Sequence, residues 1–280
     1  TSSGPSNLNI FPSPVASFTS TAPACVNAPV NFTNTGTSGG STFSWDFGAG
    51  ASPSSSTAEN PTGIIYSSAG AKTVTLTTTT GICATSVAVV ITIDPVPLVS
   101  FASTAPGCVG VGVSFVNTGT TGVSYFWNFG SGATPDTSIL QNPSGIVYST
   151  PGLKTVLFSV NDGTCAGSAT QAIFIGSPPV SSFTSNDSVC PGTVVNFTNT
   201  GTSVGSTFFW DFGAGASPLT STAENPTNIT YSTAGTKQVT LTNTNGSCAT
   251  SVTDTVTITP APIVSFTSTP SMCVGLLVDF

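Results

Sequence analysis

The chain of 280 residues has a net charge of −7 at pH 7, and only 5% of its residues are charged, where soluble domains average about 25%. With three basic residues and no His, it lacks the clustered cations that bind nucleic acid or anionic membrane surfaces, and its apolar runs are too short to insert into a membrane. Acidic residues occur singly, so no catalytic residue, metal site or cofactor is expected, and the protein is predicted not to be an enzyme.

The predicted elements recur along the chain at offsets of 82 and 83 residues. Each unit opens with a Cys placed midway between two Phe, and a Trp-Asp-Phe-Gly or Trp-Asn-Phe-Gly segment follows. Self-similarity at such a period indicates tandem domains. The predicted organisation is an N-terminal linker (1–14), three repeats (15–97, 98–179 and 180–262) and the start of a fourth repeat (263–280).

Within each repeat, apolar and polar residues alternate with a period of two. In the first repeat, Phe43, Trp45 and Phe47 share one face of a predicted strand, with Ser44 and Asp46 on the other. Clusters of Gly, Pro, Ser and Asn separate such strands, and no stretch has helical periodicity. The sequence therefore predicts an all-β fold of tandem immunoglobulin-like β-sandwiches. One tryptophan per repeat is expected in the core: Trp45, Trp127 and Trp210.

Two further polar positions recur. Asp46 and Asp211 follow the tryptophan, whereas Asn128 stands there in the second repeat, which favours a hydrogen-bonding role over a catalytic one. Each repeat also has one lysine at an equivalent strand position. These lysines are expected to be solvated charges that protect a sheet edge: Lys72, Lys154 and Lys237.

The linkers between repeats are short and contain paired prolines, as in Asp94-Pro95-Val96-Pro97. Paired prolines favour an extended, semi-rigid backbone. We therefore expect the repeats to be strung into an extended rod.

Seven cysteines allow two regular sets of disulfides. The set that we favour joins cysteines within each repeat, because the other set must fold a last strand, a linker and a first strand back on themselves. Disulfides indicate an oxidising, extracellular location. The favoured set is Cys25–Cys83, Cys108–Cys165 and Cys190–Cys248, with Cys273 bonded to a partner outside the chain; the competing set is Cys83–Cys108, Cys165–Cys190 and Cys248–Cys273.

The string Trp45-Asp46-Phe47-Gly48, Asn60-Pro61, Tyr66 and Gly70 resembles the polycystic kidney disease (PKD) domain. The paired cysteines resemble those of PKD-like modules in large secreted proteins of Bacteroidota, often adhesins. The resemblance implies an immunoglobulin-like sandwich, found in tandem on surface proteins, with adhesive, spacing or carbohydrate-facing roles. Ala49-Gly50 stands where the family usually has Asp-Gly, so a calcium site is not carried over.

Two short segments resemble the O-glycosylation signal of Bacteroidota, an Asp followed by Ser or Thr and an aliphatic residue. They make Ser188 and Thr255 candidate modification sites of a glycoprotein.

The expected function is a non-catalytic structural or adhesive array of a secreted or cell-surface protein. It would act as a rigid stalk or fibre segment and self-assemble into filaments, and its partners would be copies of itself, neighbouring repeats, glycans or cell-surface polymers. The alternative is a polysaccharide-binding accessory region of a large secreted hydrolase. Tyr125 and Phe126 are the candidate sugar platforms for that alternative.

Overall fold

The computed structural model of the protein describes residues 12–186 and 188–267, and within these residues it contains β-strands and no helix. The predicted all-β fold is thus confirmed. The strands of the first repeat are β1 (Phe18–Ser20), β2 (Ala24–Cys25), β3 (Pro29–Val30), β4 (Phe32–Asn34), β5 (Ser41–Asp46), β6 (Ala51–Ser52), β7 (Ser55–Ser56), β8 (Ile64–Tyr66), β9 (Gly70–Thr80) and β10 (Cys83–Asp94).

The second repeat reproduces this order of strands, and the third repeat lacks only the counterpart of β2. The strands of the second repeat are β11 (Phe101–Ser103), β12 (Gly107–Cys108), β13 (Gly112–Val113), β14 (Phe115–Asn117), β15 (Ser124–Asn128), β16 (Ala133–Thr134), β17 (Thr137–Ser138), β18 (Ile146–Tyr148), β19 (Gly152–Asn161) and β20 (Ala166–Gly176). Those of the third are β21 (Phe183–Ser185), β22 (Val194–Val195), β23 (Phe197–Asn199), β24 (Ser206–Asp211), β25 (Ala216–Ser217), β26 (Thr220–Ser221), β27 (Ile229–Tyr231), β28 (Gly235–Asn245) and β29 (Cys248–Ile258).

Each repeat is built from two layers. In the first repeat, one layer is a sheet of order β2-β10-β9-β5-β7, and the other combines the sheets β3-β8-β6 and β1-β4. The second repeat has the same order, β12-β20-β19-β15-β17 with β13-β18-β16 and β11-β14. In the third repeat the first layer is β26-β24-β28-β29, because the counterpart of β2 is reduced to one parallel bridge between Val189 and Ile258.

The short strand β2 pairs in parallel with the end of β10, so that Cys25 lies opposite Asp94. The long hairpin of β9 and β10 begins at the other end of the same sheet, where Cys83 lies opposite Thr80. The two cysteine positions of a repeat therefore lie at opposite ends of its last strand.

The core of each repeat is aromatic. The side chains of Trp45, Trp127 and Trp210 are at most 1% exposed. The ring of Trp45 lies 5.1 Å from that of Phe18 and 5.6 Å from that of Phe32, which come from the opposite layer. Each indole N–H donates to a backbone carbonyl at 2.9 Å, so burial leaves it satisfied.

The turn after the tryptophan explains why Asp and Asn are interchangeable there. The Oδ1 atoms of Asp46 and Asn128 accept a hydrogen bond at 2.9 Å from the backbone N–H two residues later. Either side chain supplies that acceptor, which confirms the predicted hydrogen-bonding role. The donor Gly48 has a φ of 77°, and a Cβ atom there would lie 2.6 Å from the carbonyl oxygen of Thr73, so only glycine fits.

One tyrosine side chain is buried in the core of each repeat. The hydroxyl of Tyr66 donates to the carbonyl of Phe47 at 3.0 Å, and that of Tyr231 donates to the carbonyl of Phe212 at 2.9 Å. Burial raises the pKa of Tyr66 and of Tyr231 to about 12, with a smaller contribution from the neighbouring aspartate. Burial alone raises the pKa of Tyr148 to about 12.

We expect the repeats to lose stability as the pH rises from 10 to 12. An unfolded tyrosine ionises near pH 10, so the neutral phenol stabilises the folded repeat fully below pH 10 and the stabilisation is lost as the pH passes the folded pKa. Two pKa units correspond to about 3 kcal/mol per tyrosine. In a Tyr125→Phe chain, which keeps the three buried tyrosines, phenolate absorbance and β-sheet circular dichroism should change together; phenolate formation near pH 10 with an intact sheet signal would contradict this.

The prediction of solvated lysines is wrong for Lys72 and Lys154, while Lys237 is half-buried. Lys72 and Lys154 are only 8% and 5% exposed. The reason is their position, since Lys72 alternates along β9 with the inward-facing Val74. Its Nζ atom donates to the Ser68 hydroxyl at 2.9 Å, which keeps the charge hydrogen-bonded.

The chain divides into two compact units, and the second repeat contributes residues to both. The first comprises the described residues of Thr1–Thr104 together with Gly112–Val147 and Lys154–Ile173. The second comprises Ala105–Val111, Tyr148–Leu153 and the described residues of Phe174–Phe280.

Candidate functional site: disulfide-closed joints between repeats

Two disulfides join consecutive repeats. Cys25 of the first repeat bonds to Cys165 of the second, with Cα atoms 5.7 Å apart. Cys108 of the second repeat bonds to Cys248 of the third, with Cα atoms 5.5 Å apart. Both bonds span 140 residues. We call the surroundings of the Cys25–Cys165 bond the first joint, which lies within the first compact unit, and those of the Cys108–Cys248 bond the second joint, which lies within the second unit.

The favoured pairing within repeats is therefore wrong, and so is the competing set. In each set the bonds proposed for Cys108 and Cys165 conflict with those that the structure forms. Cys273 lies outside the described residues. The superseded bonds of the favoured set are Cys25–Cys83, Cys108–Cys165 and Cys190–Cys248.

Strand topology explains why pairing within a repeat fails. Cys25 lies beside Asp94 at the end of the twelve-residue strand β10, whereas Cys83 begins that strand. At about 3.3 Å per residue the two cysteines are separated by roughly 36 Å. Disulfides need Cα atoms within about 7 Å. The first cysteine of a repeat instead bonds to the hairpin cysteine of the next repeat.

At the first joint, the end of one repeat meets the hairpin of the next. The Sγ atom of Cys165 lies 3.9 Å from the carbonyl oxygen of Asp94, and that of Cys25 lies 3.4 Å from the carbonyl oxygen of Thr164. The Cys165 side chain is 1% exposed, so the bond is shielded from solvent on the hairpin side.

A carboxylate shapes the hairpin that presents Cys165. The Oδ1 atom of Asp162 accepts hydrogen bonds from the backbone N–H of Cys165 at 2.7 Å and of Thr164 at 3.1 Å. These bonds lower the pKa of Asp162, so the carboxylate is ionised and the turn is held at neutral pH. Asp162 is a positioning residue for the bonded cysteine.

The linker packs closely against the next hairpin at the first joint. A Cβ atom added to Gly167 would lie 2.7 Å from the carbonyl oxygen of Pro97 and 2.9 Å from the side chain of Val99. Pro97 is itself buried. Only a residue without a side chain allows the linker to approach this closely.

At the second joint a threonine hydroxyl is hydrogen-bonded to the linker, whereas at the first joint a glycine lets the linker approach the hairpin closely. Thr250 occupies the position of Gly167, and its hydroxyl donates to the carbonyl oxygen of Pro179 at 2.7 Å. The Ser181 hydroxyl donates to the carbonyl oxygen of Thr250 at 2.9 Å. In both joints the linker backbone therefore lies against the hairpin next to the disulfide.

A shallow pocket of about 270 Å³ lies beside the second disulfide, lined by Pro106, Phe174, Gly176 and the 245–248 turn. A Cβ atom on Gly176 would lie 2.8 Å from the Sγ atom of Cys248. The pocket is thus a by-product of the close packing around the bond, and its walls carry no acid, base or cation.

The remaining candidate residues lie apart from the joints. Ser188 and Thr255 are exposed, while Asp187 of the first signal lies outside the described residues. Tyr125 is half-buried and accepts a hydrogen bond from the N–H of Gly122 at 3.1 Å, and Phe126 is 43% exposed. Within residues 12–186 and 188–267, no group of three His, Cys, Asp or Glu residues could hold a metal ion.

The family model of the PKD domain matches residues 12–93 and 176–260, which together make up more than half of the chain. The chain belongs to the PKD-domain family. The matched ranges cover the first and third repeats, and the second PKD repeat shares their strand order. The predicted PKD repeats and the tandem immunoglobulin-like fold are confirmed, whereas the resemblance to Bacteroidota adhesin modules stays a prediction.

The chain is similar to several solved multidomain structures at low sequence identity. An I-band fragment of titin is 11% identical, with a TM-score of 0.44 over 90% of this chain and 100% of the fragment. Extracellular domains of Drosophila OTK are 11% identical (TM-score 0.37, 92% of this chain and 99% of that chain). The N-terminal domains of the bacteriophage RB49 Hoc capsid protein are 12% identical (TM-score 0.38, 89% and 100%).

No curated protein matches the chain. In the described part of the PKD array, there is no helix of the length and apolarity that crossing a membrane requires.

Proposed function

We propose that this chain is a non-catalytic segment of an extracellular structural array, in which consecutive PKD repeats are bonded in series to form a stiff stalk. The single observation that carries the proposal is the pairing of Cys25 with Cys165 and of Cys108 with Cys248. A disulfide within a repeat stabilises that repeat alone. A disulfide between repeats fixes a joint.

The two bonds enclose overlapping stretches of chain. One closes residues 25–165 and the other closes residues 108–248, so the second repeat lies largely inside both loops. While the bonds last, pulling can extend only the residues between Cys108 and Cys165 on the path from Cys25 to Cys248, and each repeat stays bonded to the next. This property suits a spacer or stalk that transmits tension.

Location in an oxidising, extracellular compartment follows from the same bonds, since disulfides persist there and are rare in the cytosol. The scarcity of charged residues, at 5%, supports a further part of the proposal. Stalks with so little surface charge have few repulsions against lateral contact, and we infer that they associate side by side into filaments or with cell-surface polymers. Dispersed single particles at high protein concentration would overturn the filament part.

Electron microscopy tests the stalk itself. The oxidised chain is compared with a chain in which the four bonded cysteines, Cys25, Cys108, Cys165 and Cys248, are all replaced by Ser. We expect a narrow distribution of angles between neighbouring repeats in the oxidised chain and a broad one in the variant. Equal widths would refute the proposed role, because the bonds would then leave the joints as flexible as linkers alone.

A second candidate function is polysaccharide binding by accessory modules of a secreted hydrolase. The observation that favours it is a pair of exposed aromatic rings at equivalent positions, Phe126 at 43% and Phe209 at 50% exposure. Exposed rings are the platforms on which sugars stack. A glycan array that shows binding by the chain and loss of binding in the Phe126→Ala/Phe209→Ala variant would support this function, and an array without binding would remove it.

A further inference from the structure

We propose that Cys190 is the third cysteine of the joint series and that it bonds to the hairpin cysteine of a fourth PKD repeat. The inference rests on the proposed function, because it extends the bonded series by one joint. Cys190 is exposed and carries a free thiol, whereas Cys25 and Cys108 at the equivalent position are both bonded to the following repeat.

The backbone holds Cys190 as it holds the two bonded cysteines. The residue before it, Val189, forms a parallel bridge with Ile258. Ala24 pairs in the same way with Ile93 in the first repeat, and Gly107 pairs with Ile175 in the second. Cys190 therefore lies at the end of the last strand of its repeat.

One substitution explains why this pairing is shorter in the third repeat. The N–H of Val26 donates to the carbonyl oxygen of Asp94 at 3.0 Å, and that of Val109 donates to the carbonyl oxygen of Gly176 at 3.0 Å. Pro191 stands at the equivalent position and has no N–H to donate. The N–H of Thr259 still donates to the carbonyl oxygen of Val189 at 2.9 Å, so the cysteine stays in place.

The linker after the third repeat corresponds to the linkers that pack against a hairpin at the first and second joints. Pro97 and Pro179, which precede the next repeat at the first and second joints, are buried. Pro262 is the equivalent residue and is exposed, as are Ile263 and Val264, at 95% and 89%. Pro262, Val264 and the Cys190 thiol are thus exposed at the end of the third repeat. At the closed joints the equivalent prolines are buried, and Val99 and Ser181, at the position of Val264, are half-buried. Ile263 does not distinguish the joints, because Leu98 and Val180 at its position are exposed as well.

The occupant that fits is a PKD hairpin with a cysteine at the position of Cys165 and Cys248. Bond formation oxidises two thiols to one disulfide and releases two protons to solvent. The two electrons pass to the disulfide of an oxidoreductase or of oxidised glutathione, which takes up two protons from solvent and is reduced to two thiols.

The chain itself supplies a fourth repeat for the test. Residues 263–280 align with residues 98–115, so a second copy of residues 116–179 added after Phe280 completes a repeat. In this extended chain, the second copy of Cys165 lies 140 residues after Cys190, which is the separation of both observed bonds. The chain is refolded in a glutathione buffer, its remaining thiols are alkylated, and its disulfides are mapped by mass spectrometry.

We expect Cys190 to be bonded to the second copy of Cys165 in most molecules. A matched control carries Ser at that second copy and should leave Cys190 alkylated, with the other bonds unchanged. Fluorescence of the second copy of Trp127 reports whether the fourth repeat has folded.

Two results would overturn the inference. In the first, the fourth repeat folds and the two bonds of Cys25 and Cys108 form, but Cys190 is alkylated; the joint series then ends at the third repeat and the proposed function still stands. In the second, the bonds of Cys25 and Cys108 are themselves missing, which contradicts the proposed function as well.

Discussion

Reduction of the disulfides is expected to lengthen the fully stretched chain between Cys25 and Cys248 from about 200 Å to about 780 Å, at roughly 3.5 Å per residue. With both bonds intact, the shortest covalent path crosses from Cys25 to Cys165, runs back to Cys108 and crosses to Cys248. Only the 57 residues between Cys108 and Cys165 then extend. Without the bonds, all 223 residues from Cys25 to Cys248 do. Single-molecule force spectroscopy with and without reductant measures both lengths.

A double variant makes this measurement specific for the pairing. Replacing Cys25 and Cys165 by Ala deletes one bond of the observed pairing and leaves a path of 83 residues, about 290 Å. If the bonds formed within repeats, the same variant would lose two of them, and 165 residues, about 580 Å, would extend. A Cys190→Ala chain is the matched control and should stretch like the parent. No lengthening on reduction would contradict the cross-linked array altogether.

The same double variant, Cys25→Ala/Cys165→Ala, should lower the free energy of unfolding of the two linked repeats by about 5 kcal/mol. The figure is the chain-entropy estimate for a loop of 140 residues, which the bond closes. For the two linked repeats together, about 165 residues, it corresponds to a fall in the melting temperature of about 10–20 °C. Chemical denaturation followed by tryptophan fluorescence, with a Trp in each repeat core, measures the loss.

The exposed Cys190 provides the control for stability too. Cys190→Ala removes a thiol that is in neither observed bond, and it should change the free energy of unfolding by less than about 0.5 kcal/mol, as for an ordinary surface substitution. Equal losses in the double variant and in this control would mean that the Cys25–Cys165 bond contributes nothing to stability.

The sequence predicts the sandwich because alternation is a local property. Counting alternate residues is enough to predict one shared face for Phe43, Trp45 and Phe47, and all three are buried. The same alternation along β9 places Lys72 on the inner face with Val74, whereas the charge of a lysine alone predicts an exposed side chain. The alternation along the strand decides the position of Lys72, because its long aliphatic stem packs inside while its Nζ atom donates a hydrogen bond to the Ser68 hydroxyl.

The disulfides could not be predicted in this way because their positions depend on topology. Placing Cys25 requires knowing that β2 pairs in parallel with the far end of β10, a contact between residues about seventy positions apart. The segment around Cys25 is only two residues long as a strand and has no alternation to indicate a partner. The spacing of Cys25 and Cys83 suggested a bond, and the length of β10 forbids it.

Mapping disulfides with trypsin tests the central claim most directly, because the three lysines lie between the cysteines. After alkylation of free thiols and denaturation, cleavage at Lys72, Lys154 and Lys237 gives four fragments: 1–72, 73–154, 155–237 and 238–280.

Bonds between consecutive repeats predict two separate fragment pairs, 1–72 with 155–237 through Cys25–Cys165, and 73–154 with 238–280 through Cys108–Cys248. Bonds within repeats would instead hold all four fragments in one species, and bonds across the linkers would leave four separate fragments. Either of those results would contradict the account.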